Sequence, residues 1–84
     1  MDQSEILHEL TDILREVLDD PSITLTRETT ADDVENWNSL NHISIIVEVE
    51  RRFGIKFQAA EMEELKNIGE LADLVESRLA KIHG

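Results

Sequence analysis

Ser39 is the side chain of this sequence best placed to take part in covalent chemistry. It lies between an acidic, irregular segment, residues 31–37, and an apolar stretch, residues 40–53, that Gly54 closes. No other hydroxyl in the sequence stands between such a loop and the predicted start of a strongly apolar helix. A serine there presents its oxygen to solvent, and a modifying enzyme can approach it from the loop. The alternative is that Ser39 only caps the helix, a role that serine fills readily.

Two other kinds of site have less support from the residues. His42 follows Ser39 by three positions, so the two side chains could approach each other on one helix face. A serine–histidine hydrolase also needs an orienting carboxylate, an oxyanion hole and a cleft, which a chain of 84 residues does not offer. Asp32, Asp33 and Glu35 lack the spacing and the glycine of a calcium loop. We therefore expect no catalytic residue and no metal site.

The elements that must position Ser39 are predicted to be helical. Apolar residues recur at helical spacing in three long stretches and one short one. The first helix begins with a capping pair, Asp2 and Glu5, and stops at Asp19-Asp20-Pro21. The second helix runs from about Ser39 to Phe53. A short helix covers Ala59 to Leu65, with Met62 and Leu65 inward, and the last helix begins after the N-cap Asn67. The sequence predicts an all-α, small antiparallel four-helix bundle in one domain, residues 1–84.

The connection before Ser39 is unusually long for a compact domain. It covers residues 19–38, about twenty residues, and connections of that length tend to carry function. We expect Ile23 and Leu25 to anchor it to the core, and Thr30 with Asp33 to cap a short turn.

The second helix has more apolar positions than a small bundle can bury. Ile45, Ile46, Val49 and Phe53 share a face that suits the core. A second line, Leu40, Ile43 and Val47, should reach the surface in part, where exposed apolar side chains beside acidic residues indicate a protein-binding patch. The alternative is a wider core that covers both lines.

Charge limits the classes of partner. The net charge is −11, from 19 acidic and 8 basic side chains, and residues 28–50 contain no lysine or arginine. Nucleic acid and acidic membranes would be repelled, whereas a basic protein surface would be attracted. The sequence has no cysteine, no apolar run near the ~20 residues of a membrane span, and no signal-peptide pattern at its acidic N-terminus. We expect a cytoplasmic monomer.

The segment around Ser39 resembles the prosthetic-group site of acyl carrier proteins, where the pattern Asp-Ser-Leu opens the second helix. Asn38 stands where that family has aspartate, and Leu40 follows the serine. The likeness extends over nearly the whole chain: it includes the length of the first loop, Glu48-Val49-Glu50, Phe53 at the end of the helix, and the stretch from Ile55 to Leu65.

The resemblance implies that Ser39, between Asn38 and Leu40, carries 4'-phosphopantetheine, whose thiol holds acyl intermediates for fatty acid, polyketide or related lipid biosynthesis. The protein would do no catalysis. Its partners would be a phosphopantetheinyl transferase and acyl-transferring or synthase enzymes with basic docking surfaces. Two alternatives remain open: an aminoacyl, D-alanyl or peptidyl carrier, and an unmodified helical adaptor. The expected partner-binding residues are Glu35, Trp37, Leu40, Ile43, Val47, Glu48 and Met62.

Overall fold

The computed structural model describes residues 2–83, and side chains through residue 81. Within that range the chain forms α1 (Gln3–Val17), a 3₁₀ turn (Ala31–Asp33), α2 (Ser39–Phe53), α3 (Ala59–Glu63) and α4 (Ile68–His83). The described residues contain no strand, so the predicted all-α fold with three long helices and one short helix is confirmed. None of the helices described is long and apolar enough to cross a membrane.

Side-chain caps set the helix starts that the sequence predicted. Asp2 accepts a hydrogen bond from the Glu5 backbone N–H at 2.8 Å, and Asn67 accepts one from the Glu70 N–H at 2.9 Å. Each bond satisfies an N–H that has no partner inside its helix. The short helix α3 ends at Glu63, two residues before the predicted Leu65.

The end of α2 is fixed by backbone conformation. Gly54 has φ of +66°, a left-handed geometry that glycine adopts without strain and that commonly ends helices. Thus both bounds of α2 agree with the prediction.

A single apolar core holds the long helices together. It takes one face of each long helix, and the connection contributes Ile23 and Leu25 as predicted. The core therefore fixes one face of α2 and the first half of the connection. Its buried residues are Ile6, Leu10, Ile13, Leu14, Leu18, Ile23, Leu25, Ile45, Ile46, Val49, Ile55, Ile68, Leu71, Ala72 and Val75.

The middle of the long connection is fastened to the start of α4. The carbonyls of Arg27 and Thr29 accept hydrogen bonds from the N–H groups of Gly69 and Ile68, both at 2.8 Å. A Cβ on Gly69 would lie 2.9 Å from the Arg27 oxygen, so this approach requires glycine.

The Arg27 side chain adds a second fastening, to α4 and α1. Its guanidinium donates to both carboxylate oxygens of Asp73, at 3.1 and 3.0 Å, and to the Gln3 side chain at 2.6 Å. The segment that leads to Ser39 therefore begins at Arg27, a residue that is hydrogen-bonded to both α4 and α1.

The C-terminal end of α2 is tied to α1 by Arg52. Its guanidinium pairs with Glu16 and lies 3.9 Å from Glu9, both on α1, and 3.7 Å from Glu48 on its own helix. These pairs hold one end of α2, and the site lies at the other.

Candidate functional site

Ser39 is the first residue of α2, and it is exposed. The capping position belongs to Asn38, whose extended backbone precedes the helix and whose side-chain oxygen accepts from the Asn41 N–H at 2.9 Å. The Ser39 hydroxyl makes no hydrogen bond to any residue that the structure describes. The alternative in which Ser39 serves only as a cap is therefore wrong, because Asn38 does that work.

The start of α2 also suits a negatively charged group. The backbone N–H groups of Ser39 and Leu40 donate to no acceptor in the described chain. Free N–H groups and the helix dipole make such an end favourable for phosphate. The residues present therefore fit a phosphate ester on the Ser39 oxygen.

The turn before Ser39 has an unusual backbone. Asn36 has φ of +68°, in the left-handed region, which asparagine tolerates better than most residues. Its carbonyl oxygen accepts two hydrogen bonds, from the Asn38 N–H at 3.0 Å and from the Asn41 side-chain amide at 2.6 Å. The role of Asn41 was missed by sequence analysis; an asparagine one turn after Asn36 is a weak signal for it.

Trp37 is half-buried against the core and bound to α2. Its indole N–H donates to Nδ1 of His42 at 3.1 Å, and the two ring planes are inclined by only 22°. The acceptor nitrogen of His42 thus faces Trp37. This arrangement opposes the hydrolase alternative, in which His42 would face Ser39.

Of the two apolar lines of α2, one is buried and the other is exposed, as predicted. Ile45 is fully buried and Ile46 and Val49 are also buried. Leu40, Ile43 and Val47 are 76%, 62% and 57% exposed. Phe53 is partly buried and packs on the core. The alternative of a wider core is therefore wrong.

A groove runs between the exposed line and α3. It has a volume of about 400 Å³, and Ile43, Val47 and the half-buried Met62 line it together with Ala59 and Glu63. Met62 thus lies with two of the other predicted partner-binding residues. We call the exposed line and this groove the outer surface of α2.

The turn before α2 and the first part of α2 are free of charged residues. Residues 36–47 contain no lysine, arginine, aspartate or glutamate. Exposed carboxylates precede this segment in the chain at Asp33 and Glu35, and Glu63 of α3 lines the groove.

Glu48, a predicted partner-binding residue, is held by a neighbour. Arg51 donates to both of its carboxylate oxygens at 2.6 and 2.7 Å, which holds the pKa of Glu48 below its usual value. Glu48 therefore presents an ion pair and not a free carboxylate.

Comparison with known proteins decides the family. A family model described as a phosphopantetheine attachment site matches residues 8–75. The chain belongs to the acyl carrier protein family. The acyl carrier protein of Thermosynechococcus vestitus is 31% identical over 81 residues, which cover 95% of this chain and 99% of that protein. The acyl carrier protein of Coprothermobacter proteolyticus is 27% identical over 79 residues, 94% of this chain and 96% of that one.

Solved structures of acyl carrier proteins have the same fold as this chain. The solution structure of a holo acyl carrier protein from Geobacter metallireducens is 51% identical, with a TM-score of 0.85, and the match covers 90% of this chain and 87% of that one. The crystal structure of the Thermotoga maritima acyl carrier protein has the same TM-score at 20% identity, over 98% and 95% of the chains, and shows the shared fold.

Family membership establishes the activity in outline. An acyl carrier protein holds acyl intermediates on a covalently attached phosphopantetheine and presents them to transferase and synthase enzymes. It is a carrier and not an enzyme.

Proposed function

We propose that Ser39 carries the phosphopantetheine, with Asn38 and Leu40 beside it. The family match spans three serines, Ser22, Ser39 and Ser44. The Ser22 hydroxyl donates to the Asp20 carboxylate at 2.6 Å, and Ser44 lies inside α2. Only Ser39 of these three combines an exposed hydroxyl with a helix N-terminus, and that observation carries the proposal.

The attachment chemistry needs little from this chain beyond a presented oxygen. Ser39 Oγ attacks the phosphorus that bears pantetheine in coenzyme A, and the pyrophosphate P–O bond breaks with its electron pair leaving on 3',5'-ADP. The serine proton passes to a base of the transferase. The arm supplies a thiol that the cysteine-free chain lacks. The N-terminus of α2 then favours the phosphodiester charge.

The outer surface of α2 is proposed as the docking site for partner enzymes. Leu40, Ile43 and Val47 would supply apolar contact at its centre, with Met62 in the groove and Trp37 beside His42 at the start of α2. Carboxylates at the edge, Glu35 first, would attract basic partner surfaces over a longer range. Glu48 would take part as the Glu48–Arg51 pair.

We propose a specialised lipid pathway for the cargo. The first turn of α2 has no acidic residue. A housekeeping fatty acid carrier is expected to be more acidic along this helix, so dedicated partner enzymes are favoured. Loading with a panel of acyl-, aminoacyl- and D-alanyl-activating enzymes tests this choice, and preferential aminoacyl loading would contradict it.

Intact-mass measurement tests the attachment residue. The chain is incubated with coenzyme A and phosphopantetheinyl transferases of broad specificity, alongside Ser39→Ala and the matched control Ser44→Ala. We expect a gain of one phosphopantetheine group in the wild type and in Ser44→Ala, and none in Ser39→Ala. Modification of Ser39→Ala would refute the proposal. An unmodified wild type under every transferase would favour the adaptor alternative.

A further inference from the structure

We propose that Asn41 and His42 are positioning residues for phosphopantetheine transfer, and that together they clamp the Asn36–Asn38 turn against α2. This inference rests on Ser39 as the attachment residue. The clamp consists of two side-chain hydrogen bonds that join the first turn of α2 to the loop just before it. The Asn41 amide donates to the Asn36 carbonyl, and the Trp37 indole N–H donates to His42 Nδ1.

The turn needs such support because of its backbone. Outside glycine, a left-handed residue is unfavourable unless its surroundings impose the conformation. Asn36 has that conformation three residues before the serine, and its carbonyl accepts from the Asn41 amide at 2.6 Å. If the turn relaxed, the capping bond of Asn38 would be lost with it, and the first residue of α2 would lose its defined place.

His42 supplies the acceptor of the second hydrogen bond. Its Nδ1 can accept the Trp37 N–H only while that nitrogen carries no proton. A side chain at position 42 that offers no acceptor should therefore release Trp37 from α2, whereas one that offers an acceptor should retain it.

The clamp can be observed without any modification reaction. Trp37 is the only tryptophan, so the indole N–H gives one identifiable NMR signal. At one fixed pH we expect this proton to exchange slowly with solvent in the wild type. In His42→Leu its exchange should be at least tenfold faster. In His42→Gln, where an amide oxygen can still accept, exchange should stay slow.

Transfer kinetics then test the positioning role. Rates are measured with one transferase for the wild type, Asn41→Leu, His42→Gln, His42→Leu and the control Ser44→Ala, whose side chain is exposed one turn along α2. Loss of one hydrogen bond predicts a roughly five- to tenfold lower kcat/KM for Asn41→Leu and for His42→Leu. The control and His42→Gln should match the wild type at pH 8.

Rescue by His42→Gln separates the hydrogen bond from a general packing role. We expect His42→Gln to restore the rate that His42→Leu loses, whereas a purely structural role for His42 would slow both variants alike. Equal kcat/KM for all variants, at unchanged melting temperature, would overturn the clamp while leaving Ser39 as the attachment residue. A protected indole with no transfer to any variant would instead refute the attachment proposal.

Discussion

The two faces of α2 carry the same kinds of side chain and have opposite environments. Ile45 is wholly enclosed by the core, whereas Ile43, two residues earlier, is mostly exposed. Position around the helix, and not residue type, decides which isoleucine contributes to folding. An exposed apolar line of this size is therefore better explained by binding than by stability.

The largest predicted effect separates the two faces by stability. Ile45→Ala should lower the free energy of unfolding by about 2–5 kcal/mol, because it removes buried methyl groups and leaves a cavity. Ile43→Ala, the matched change on the outer surface, should cost under about 0.5 kcal/mol. Urea unfolding followed by circular dichroism measures both. Equal losses would show that the outer surface is part of the core.

The second prediction concerns Asn38, the N-cap of α2. Asn38→Asp should accelerate phosphopantetheine transfer about tenfold, because an aspartate adds a charge-assisted contact to a basic transferase. The melting temperature should not change, since asparagine and aspartate cap helices almost equally well. Initial rates at subsaturating carrier provide the measurement. Equal rates at equal stability would mean that the transferase does not read this charge.

The third prediction tests whether the Glu35 carboxylate speeds association with partner enzymes by long-range electrostatic attraction. Glu35→Lys should slow association with a partner enzyme a few-fold at low salt. The difference in rate from the wild type should shrink as salt is added, because the Debye screening length falls to about 8 Å at physiological ionic strength. Glu76→Lys, the same charge change on α4, is the control. Stopped-flow association over a salt series measures both. An effect of Glu35→Lys that persists in high salt would mean direct contact instead of steering.

The smallest predicted effect concerns stability and the Arg27–Asp73 ion pair, away from the outer surface. The hydrogen bonds from Arg27 hold the pKa of Asp73 below its usual value. A carboxylate with a lowered folded-state pKa stabilises the protein above its unfolded pKa, and this contribution disappears as the pH falls through the folded value. Asp73→Asn should therefore lower the melting temperature slightly at pH 7 and not at about pH 2. Asp32→Asn is the exposed control, and a deficit that persists in acid would contradict the ion-pair explanation.

Much of this architecture follows from local signals. The bounds of α2 were predictable because its apolar periodicity begins just after Ser39 and a glycine follows Phe53. The cap itself is Asn38 and not Ser39. Ile23 and Leu25 were predictable as loop anchors because they are isolated apolar residues in a polar segment. The exposed line of α2 followed from helical periodicity alone.

Contacts that depend on distant residues or on side-chain conformation were not predictable. Arg27 meets Asp73 across 46 residues, and no local pattern specifies that pair. The choice of Arg51 as the partner of Glu48 depends on side-chain rotamers, and sequence analysis therefore named Glu48 as a partner-binding residue without its ion pair. The Trp37–His42 bond likewise depends on how the turn folds back on α2.

Gly69 has a consequence for how such a chain can diversify. Because the backbone at Arg27 is bonded to the start of α4, the long connection behaves as two shorter loops that meet at one fixed junction. Closing a loop costs more as it lengthens, but only slowly, so each half can tolerate substitution or insertion by itself. The half that leads to Ser39 can thus evolve toward new partners while the half that leaves α1 keeps its packing, a modular arrangement that depends on one residue without a side chain.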